Sequence, residues 1–240
     1  MALSRPTFPF IRYARPLNYT LASPGKELKS TASSLRTLGQ IPGMLSNGMQ
    51  EIINDLADLI WYAEWVKGAP EQYFDDDTEA YYNTEVLYVE YALHSDRYTL
   101  QGEVKGDASI EGCVRLACLI FHNSAIWDFY PQTAPVFPKP ILALQSALES
   151  TIRAGCYRHC RELLIWLLFV GACSSSIPSM RSFFVGELAI TVRLQGLQSW
   201  QELRAILFKY FYVDRCYLVP LRALWNELRL QTASHTWAAL

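Results

Sequence analysis

Carboxylates crowd one short stretch of this chain: Asp75, Asp76, Asp77 and Glu79, with Asn83 and Glu85 close behind. Oxygen ligands at that density can hold a hard cation such as Mg²⁺. Acidic residues ahead of a helix also favour its positive N-terminal end, and this reading takes precedence. A second set is softer: Cys156, His159 and Cys160 at helix-compatible spacing, and Cys118 four residues before His122. Structural zinc asks for four converging ligands, often in close Cys-x2-Cys pairs. No such pair occurs, so these residues are expected to be buried or half-buried helix positions. Asp214-Arg215 is a charged pair set between Tyr210-Phe211-Tyr212-Val213 and Cys216-Tyr217. It reads as an ion pair fixing a bend between helices, or as a polar anchor in an apolar ligand pocket. His122 and His159 are the candidate acid–base groups for any bond-making chemistry. There is no Gly-x-Ser-x-Gly elbow and no Gly-rich phosphate loop, and no cofactor is expected.

Helices must position these side chains. Ile52, Ile53, Leu56, Leu59, Ile60 and Ala63 recur at spacings of three and four, predicting a helix over 48–67 that ends at Gly68-Ala69-Pro70. The next covers 78–95, with Leu87, Tyr91, Val86 and Val89 turned inward, and 102–107 reads as a loop. A third over 108–127 carries Ile110, Val114, Ala117, Cys118 and Phe121 on one face. Pro131, Pro135, Pro138 and Pro140 form a rigid connector; Pro138 or Pro140 suits the first turn of the following helix, where the missing N–H costs nothing. Gly155 terminates that helix. The fifth spans 158–173 and the sixth runs from Pro178 to about 194, stopped by Gly196. Ser199 with Glu202 is a capping box that starts the seventh, and the eighth covers 218–230. Period-two alternation is rare. The class is all-α: about eight helices over 48–240, preceded by an extended, proline-bearing N-terminal arm over 1–47, in which a short helix near 26–38 is expected.

The chain of 240 residues, 51% hydrophobic and 18% charged, can bury a large core as one domain. Its net charge of −2 and scattered Lys and Arg leave no surface able to neutralise a run of phosphates, so direct nucleic-acid binding is not expected. The unbroken apolar run from Leu163 to Cys173 stops well short of the roughly 20 residues of a membrane span. It reads as a helix buried on all sides. Six scattered Cys and an N-terminus without a signal-like apolar core point to a reducing compartment, nucleus or cytoplasm.

Read in order, the helix Leu163-Leu164-Ile165-Trp166-Leu167-Leu168-Phe169-Val170-Gly171-Ala172, the start Trp200-Gln201-Glu202-Leu203 and the closing Leu224-Trp225-Asn226-Glu227-Leu228 form a series. The series resembles the second of the fungal-specific transcription factor domain families, the helical regulatory regions that usually follow a zinc cluster. The likeness covers about 108–229. Members usually begin with six cysteines holding two zinc ions and a basic linker; no Cys precedes Cys113 here. The resemblance thus implies a fungal regulatory or interaction domain without its own DNA-binding module, and it brings no catalytic residues with it. Such a domain would bind a protein partner, a second copy of itself, or a small apolar metabolite, in transcription regulation tied to secondary metabolism. The alternative is a fungal biosynthetic cyclase or isomerase acting on a small hydrophobic substrate. For it, Asp75-Asp76-x-x-Glu79 is superficially similar to the diphosphate-binding motif of helical terpene synthases. Asp214, Arg215, His122 and His159 would supply the remaining polar groups.

Overall fold

The computed structural model describes residues 31–68, 76–127 and 138–237, and among them nine α-helices carry most of the chain. The described residues form no strand; Tyr98 and Val104 make an isolated bridge. The architecture is all-α. Helix α1 (Ser33–Gly39) tucks Leu35 and Leu38 into the core. Just ahead of it, the Ala32 N–H donates to the Tyr210 carbonyl at 2.9 Å and the Ser34 N–H to that of Lys209 at 3.0 Å. Residues from 31 onward are therefore stitched to the far end of the sequence.

Helix α2 (Asn47–Gly68) buries Met49, Ile53, Leu56, Ile60 and Ala63 along the predicted stripe. Helix α3 (Asp76–Ser95) turns Tyr81, Val86, Val89 and Leu93 inward. Leu87, expected inside, is 44% exposed. It lies one residue, about 100°, off the stripe that meets α2, and helical geometry puts it outside.

Helix α4 (Ile110–Phe121) opens where the Ser109 hydroxyl accepts the Gly112 N–H at 3.0 Å. A π-turn follows over His122–Ile126, so the predicted 108–127 helix keeps its span but widens in its last turn. Pro131 and Pro135 lie outside the described residues. Helix α5 (Pro138–Arg153) starts on Pro138 and is stopped by Gly155, whose φ of 72° is left-handed.

The remaining helices are α6 (Arg161–Ser174), α7 (Pro178–Leu194), α8 (Trp200–Leu207) and α9 (Asp214–Trp237). Ser199 Oγ accepts the Glu202 N–H at 3.2 Å, as a capping box requires. The return bond falls one residue early, from the Gln198 N–H to Glu202 Oε2 at 2.8 Å. Helix α9 begins at Asp214 rather than 218 and carries Pro220 inside it. The loss of one backbone bond there is offset by anchors on either side: Tyr217, Leu221 and Leu224 are buried, and Asp214 and Arg215 are tied down as described below.

A helix whose side chains from Leu163 to Ala172 are all apolar has no face for water, so it must sit at the centre. α6 packs against α4, α5, α7, α8 and α9, and every residue in that run is buried. Trp166 is the pivot. Its Nε1–H donates to the Phe211 carbonyl at 2.9 Å, and its ring stacks on Tyr210 at 5.7 Å between centroids. Phe169 meets Tyr217 edge-on at 5.5 Å, and Phe121 stacks on Phe211 at 5.6 Å. Each such pair adds about 0.5–1.5 kcal/mol beyond the area it buries. At Gly171 the Phe184 ring packs directly on the α6 backbone: a Cβ there would lie 2.2 Å from the ring.

The connection from α3 to α4 is held by charge instead. Arg115, only 2% exposed, reaches Asp107 at 2.9 Å and Asp96 at 3.3 Å. Arg97 joins Asp107 at 2.8 Å, and Lys105 joins Asp96 at 2.9 Å. Buried charge is tolerated only when paired in this way. Among the described residues, no helix is long and apolar enough to cross a membrane.

Candidate functional site

The acidic stretch opens α3. Asp76 and Glu79 are exposed in its first turn, where they complement the positive helix end; Asp75 lies outside the described residues. Among the described residues no three His, Cys, Asp or Glu side chains gather closely enough to hold a metal ion.

His122 is fully buried at the start of the π-turn, its Nε2 3.0 Å from the Val86 carbonyl. A carbonyl only accepts, so Nε2 carries the proton and Nδ1 presents a lone pair, for which no partner is found. Burial outweighs that bond and pushes the imidazole down to about 3. It stays neutral and cut off from solvent. Its helical neighbour Cys118 is also fully buried, and burial pushes that thiol up. No third His, Cys, Asp or Glu joins this pair among the described residues.

Asp214 and Arg215 are adjacent in sequence and committed to different neighbours. Asp214 accepts from Arg204 Nε at 2.9 Å, from the same guanidinium's second nitrogen, and from the Tyr212 hydroxyl at 3.0 Å. The bonds from Arg204 hold its carboxyl below the usual range. Arg215 reaches Glu64 on α2 and the Ala125 carbonyl in the π-turn, both at 3.0 Å. One residue thus fastens α8 to α9, and the other fastens α9 to the first half of the fold.

His159 is exposed in the turn before α6 and lines a cleft of about 540 Å³. Arg158, Arg161 and Glu162 share that wall, with Ser34 and Tyr210 opposite. Glu162 is already engaged by Lys209 Nζ at 2.9 Å. The lining is mixed and shallow; Cys160 shares it, and Cys156, His159 and Cys160 do not gather as a metal-holding group.

The other depression is of a different character. Between α7 and α9 a groove of about 280 Å³ has a floor of Ala189, Val192, Leu197, Trp225 and Leu228. Arg193 stands on one rim and Arg229 on the other, with Gln198 between the helices. Its origin lies in helical phase. α7 buries Phe184, Val185, Leu188, Ala189 and Val192 against its neighbours, while Arg193 is exposed beside that stripe. On α9, Trp225 and Leu228 close the core beneath, and Arg222 and Arg229, two turns apart, share the outer edge. Beyond Arg193, Ile190 is 46% and Leu194 62% exposed. Sequence reasoning passed over this groove. The available signal was the pair Ile190 and Leu194, apolar residues four apart and off the inward stripe of their helix.

Compared with known proteins, the chain matches no family model, no curated protein and no solved structure.

Proposed function

We propose that this chain is a regulatory interaction domain that works by changing its contacts with a protein partner. The observation that carries the reading is the apolar surface that α7 leaves outside the core, Ile190 at 46% and Leu194 at 62% exposed, beside the small depression between α7 and α9. Its complement is the fate of the candidate chemical groups. His122 is sealed and neutral, and Asp214 and Arg215 are spent as fasteners between helices. The resemblance to fungal zinc-cluster regulators supports the same reading. In that setting the chain would work in the nucleus or cytoplasm and reach promoters through a partner that supplies the DNA contact.

The enzyme reading has one observation in its favour, His159 on the wall of the larger cleft beside Arg158 and Arg161. Native mass spectrometry of the chain purified from its producing host separates the two. The expected result is a complex with a second polypeptide, with hydrogen-exchange protection of α7 and α9 in the complex. A retained small organic molecule that the protein turns over would overturn the proposal and favour a cyclase or isomerase.

A further inference from the structure

We infer that Cys156 and Cys160 form a reversible redox site, at which an anionic low-molecular-weight disulfide of the oxidised glutathione class converts the pair to a disulfide within the turn leading into α6. The site is separate from the α7–α9 surface and does not rest on the interaction reading above. Three observations carry it.

The first is access. Of the six cysteines, all free thiols, Cys156 alone is exposed. The second is a resolving partner. The half-buried Cys160 thiol donates to the Cys156 carbonyl at 3.7 Å, so its sulfur already lies against the backbone of the residue it would bond. A disulfide needs its two Cα atoms about 4.4–6.8 Å apart, and this turn can supply the remaining adjustment. Gly155 is left-handed at φ 72°. The turn is held by the Arg158 N–H on the Gly155 carbonyl at 3.4 Å and the Cys160 N–H on that of Tyr157 at 3.2 Å. Bonds at or beyond the usual length yield at little cost. Cys160 also lines the larger cleft, and its carbonyl accepts the Leu163 and Leu164 N–H groups that open α6. Closing the pair therefore moves the cleft wall.

The third is charge. From Arg153 to Arg161 the chain reads Arg-Ala-Gly-Cys-Tyr-Arg-His-Cys-Arg, three arginines and a histidine with no acidic residue. Arg153, Arg158, His159 and Arg161 are exposed and make no ion pair with any described residue. The next residue, Glu162, is engaged by Lys209 at 2.9 Å. Such a surface concentrates an anionic oxidant and repels a cationic one. The Cys156 thiolate attacks one sulfur of the small disulfide and releases the other as a thiolate. The Cys160 thiolate then attacks the Cys156 sulfur and expels the second thiolate. The protein loses two electrons and two protons, and the reagent is reduced to two thiols. Burial pushes the Cys160 thiol up, which suits it to the second step, where attack within one turn has a high effective concentration.

The test exposes the full, reduced chain to oxidised glutathione or to cystamine, a cationic disulfide, and locates the products by mass spectrometry. Trypsin cuts after Arg158, between the two cysteines, so a closed pair appears as two joined fragments. With oxidised glutathione the expected product is a Cys156–Cys160 disulfide that dithiothreitol reverses. Each reagent's rate is divided by its rate with a free thiol; the glutathione reaction should then be roughly tenfold the faster at low salt, and less so as salt rises. Cys160→Ser should stop the reaction at a glutathione adduct on Cys156, and Cys156→Ser should leave the remaining thiol of the pair unmodified. Arg158→Gln with Arg161→Gln should remove the preference for the anionic reagent while circular dichroism shows the helices intact. A glutathione adduct on Cys156 of the native chain that Cys160 never displaces overturns the inference. So do equal normalised rates for the two reagents, and so does oxidation that appears only once the chain is unfolded.

Discussion

Helices α6 and α7 are neighbours built from similar apolar residues, yet they meet solvent in opposite ways. In α6 the residues from Leu163 to Ala172 are enclosed on every side. In α7 the same side-chain types form a stripe against α6, and Ile190 and Leu194 are left over on the outer surface. The first arrangement explains its own composition: each apolar group is removed from water, at about 25 cal/mol for each Å² buried. The second leaves apolar surface that folding does not use. Surface of that kind, next to an open groove, is where a contact with another molecule is to be sought.

The largest effect is expected at the closed end of the comparison. Trp166→Ala removes the pivot ring, its stack on Tyr210 and its bond to the Phe211 carbonyl. Chemical denaturation should show a loss of about 3–5 kcal/mol. A loss below 1 kcal/mol would mean that α6 is not the closed centre described.

Gly171→Ala probes the seam between the two helices. Alanine is the better helix former, but its methyl would enter the Phe184 ring. The clash dominates, and thermal denaturation should report a net loss of about 1–3 kcal/mol. Phe184→Leu in the same chain should recover part of it; strictly additive losses would show that the two residues do not share the seam.

His122 tests whether the interior is closed to protons. Its folded value is pushed down to about 3, against about 6.5 in an unfolded chain. Between those values the unfolded state binds the extra proton, so the stability present above about pH 6.5 is lost as pH falls toward 3. The slope from this one group is at most about 1.4 kcal/mol per pH unit. Comparing His122→Gln with the native chain between pH 7 and 5 should show that part of the slope removed. An unchanged slope would mean that the imidazole titrates normally and the interior is open.

The smallest effect belongs to the open end. Arg193→Glu changes an exposed side chain that makes no ion pair among the described residues, and folding stability should move by no more than about 0.5 kcal/mol. A large drop in melting temperature would make Arg193 a structural residue and erase the contrast.

Much of the helical framework was legible because its signals are local. A run of apolar side chains, a Ser followed three residues on by Glu, and glycines at 155 and 196 act through residues within a turn or two of themselves. The end of α5, the start of α8 and the burial of α6 follow from those alone. Boundaries moved where distant contacts intervened. α9 starts four residues earlier than the pattern predicts and runs through Pro220, because Asp214 and Arg215 are clamped by Arg204, Glu64 and a carbonyl of the π-turn. The inward face of α3 shifted by one residue because the position of α2, not periodicity alone, selects which side is covered.

By itself, then, the sequence determined the all-α class, most helix ends and the helix that had to be central, since backbone capping and side-chain periodicity are decided by near neighbours. Tertiary structure decided the rest. It buried Arg115 among carboxylates of the preceding loop, sealed His122 beneath Val86, sent Asp214 and Arg215 to separate partners, and opened a groove between α7 and α9. Each outcome depends on which surfaces meet, between residues from 8 to 151 positions apart in the chain. Charge pairing and water exclusion act through space, and only the packed molecule fixes those distances.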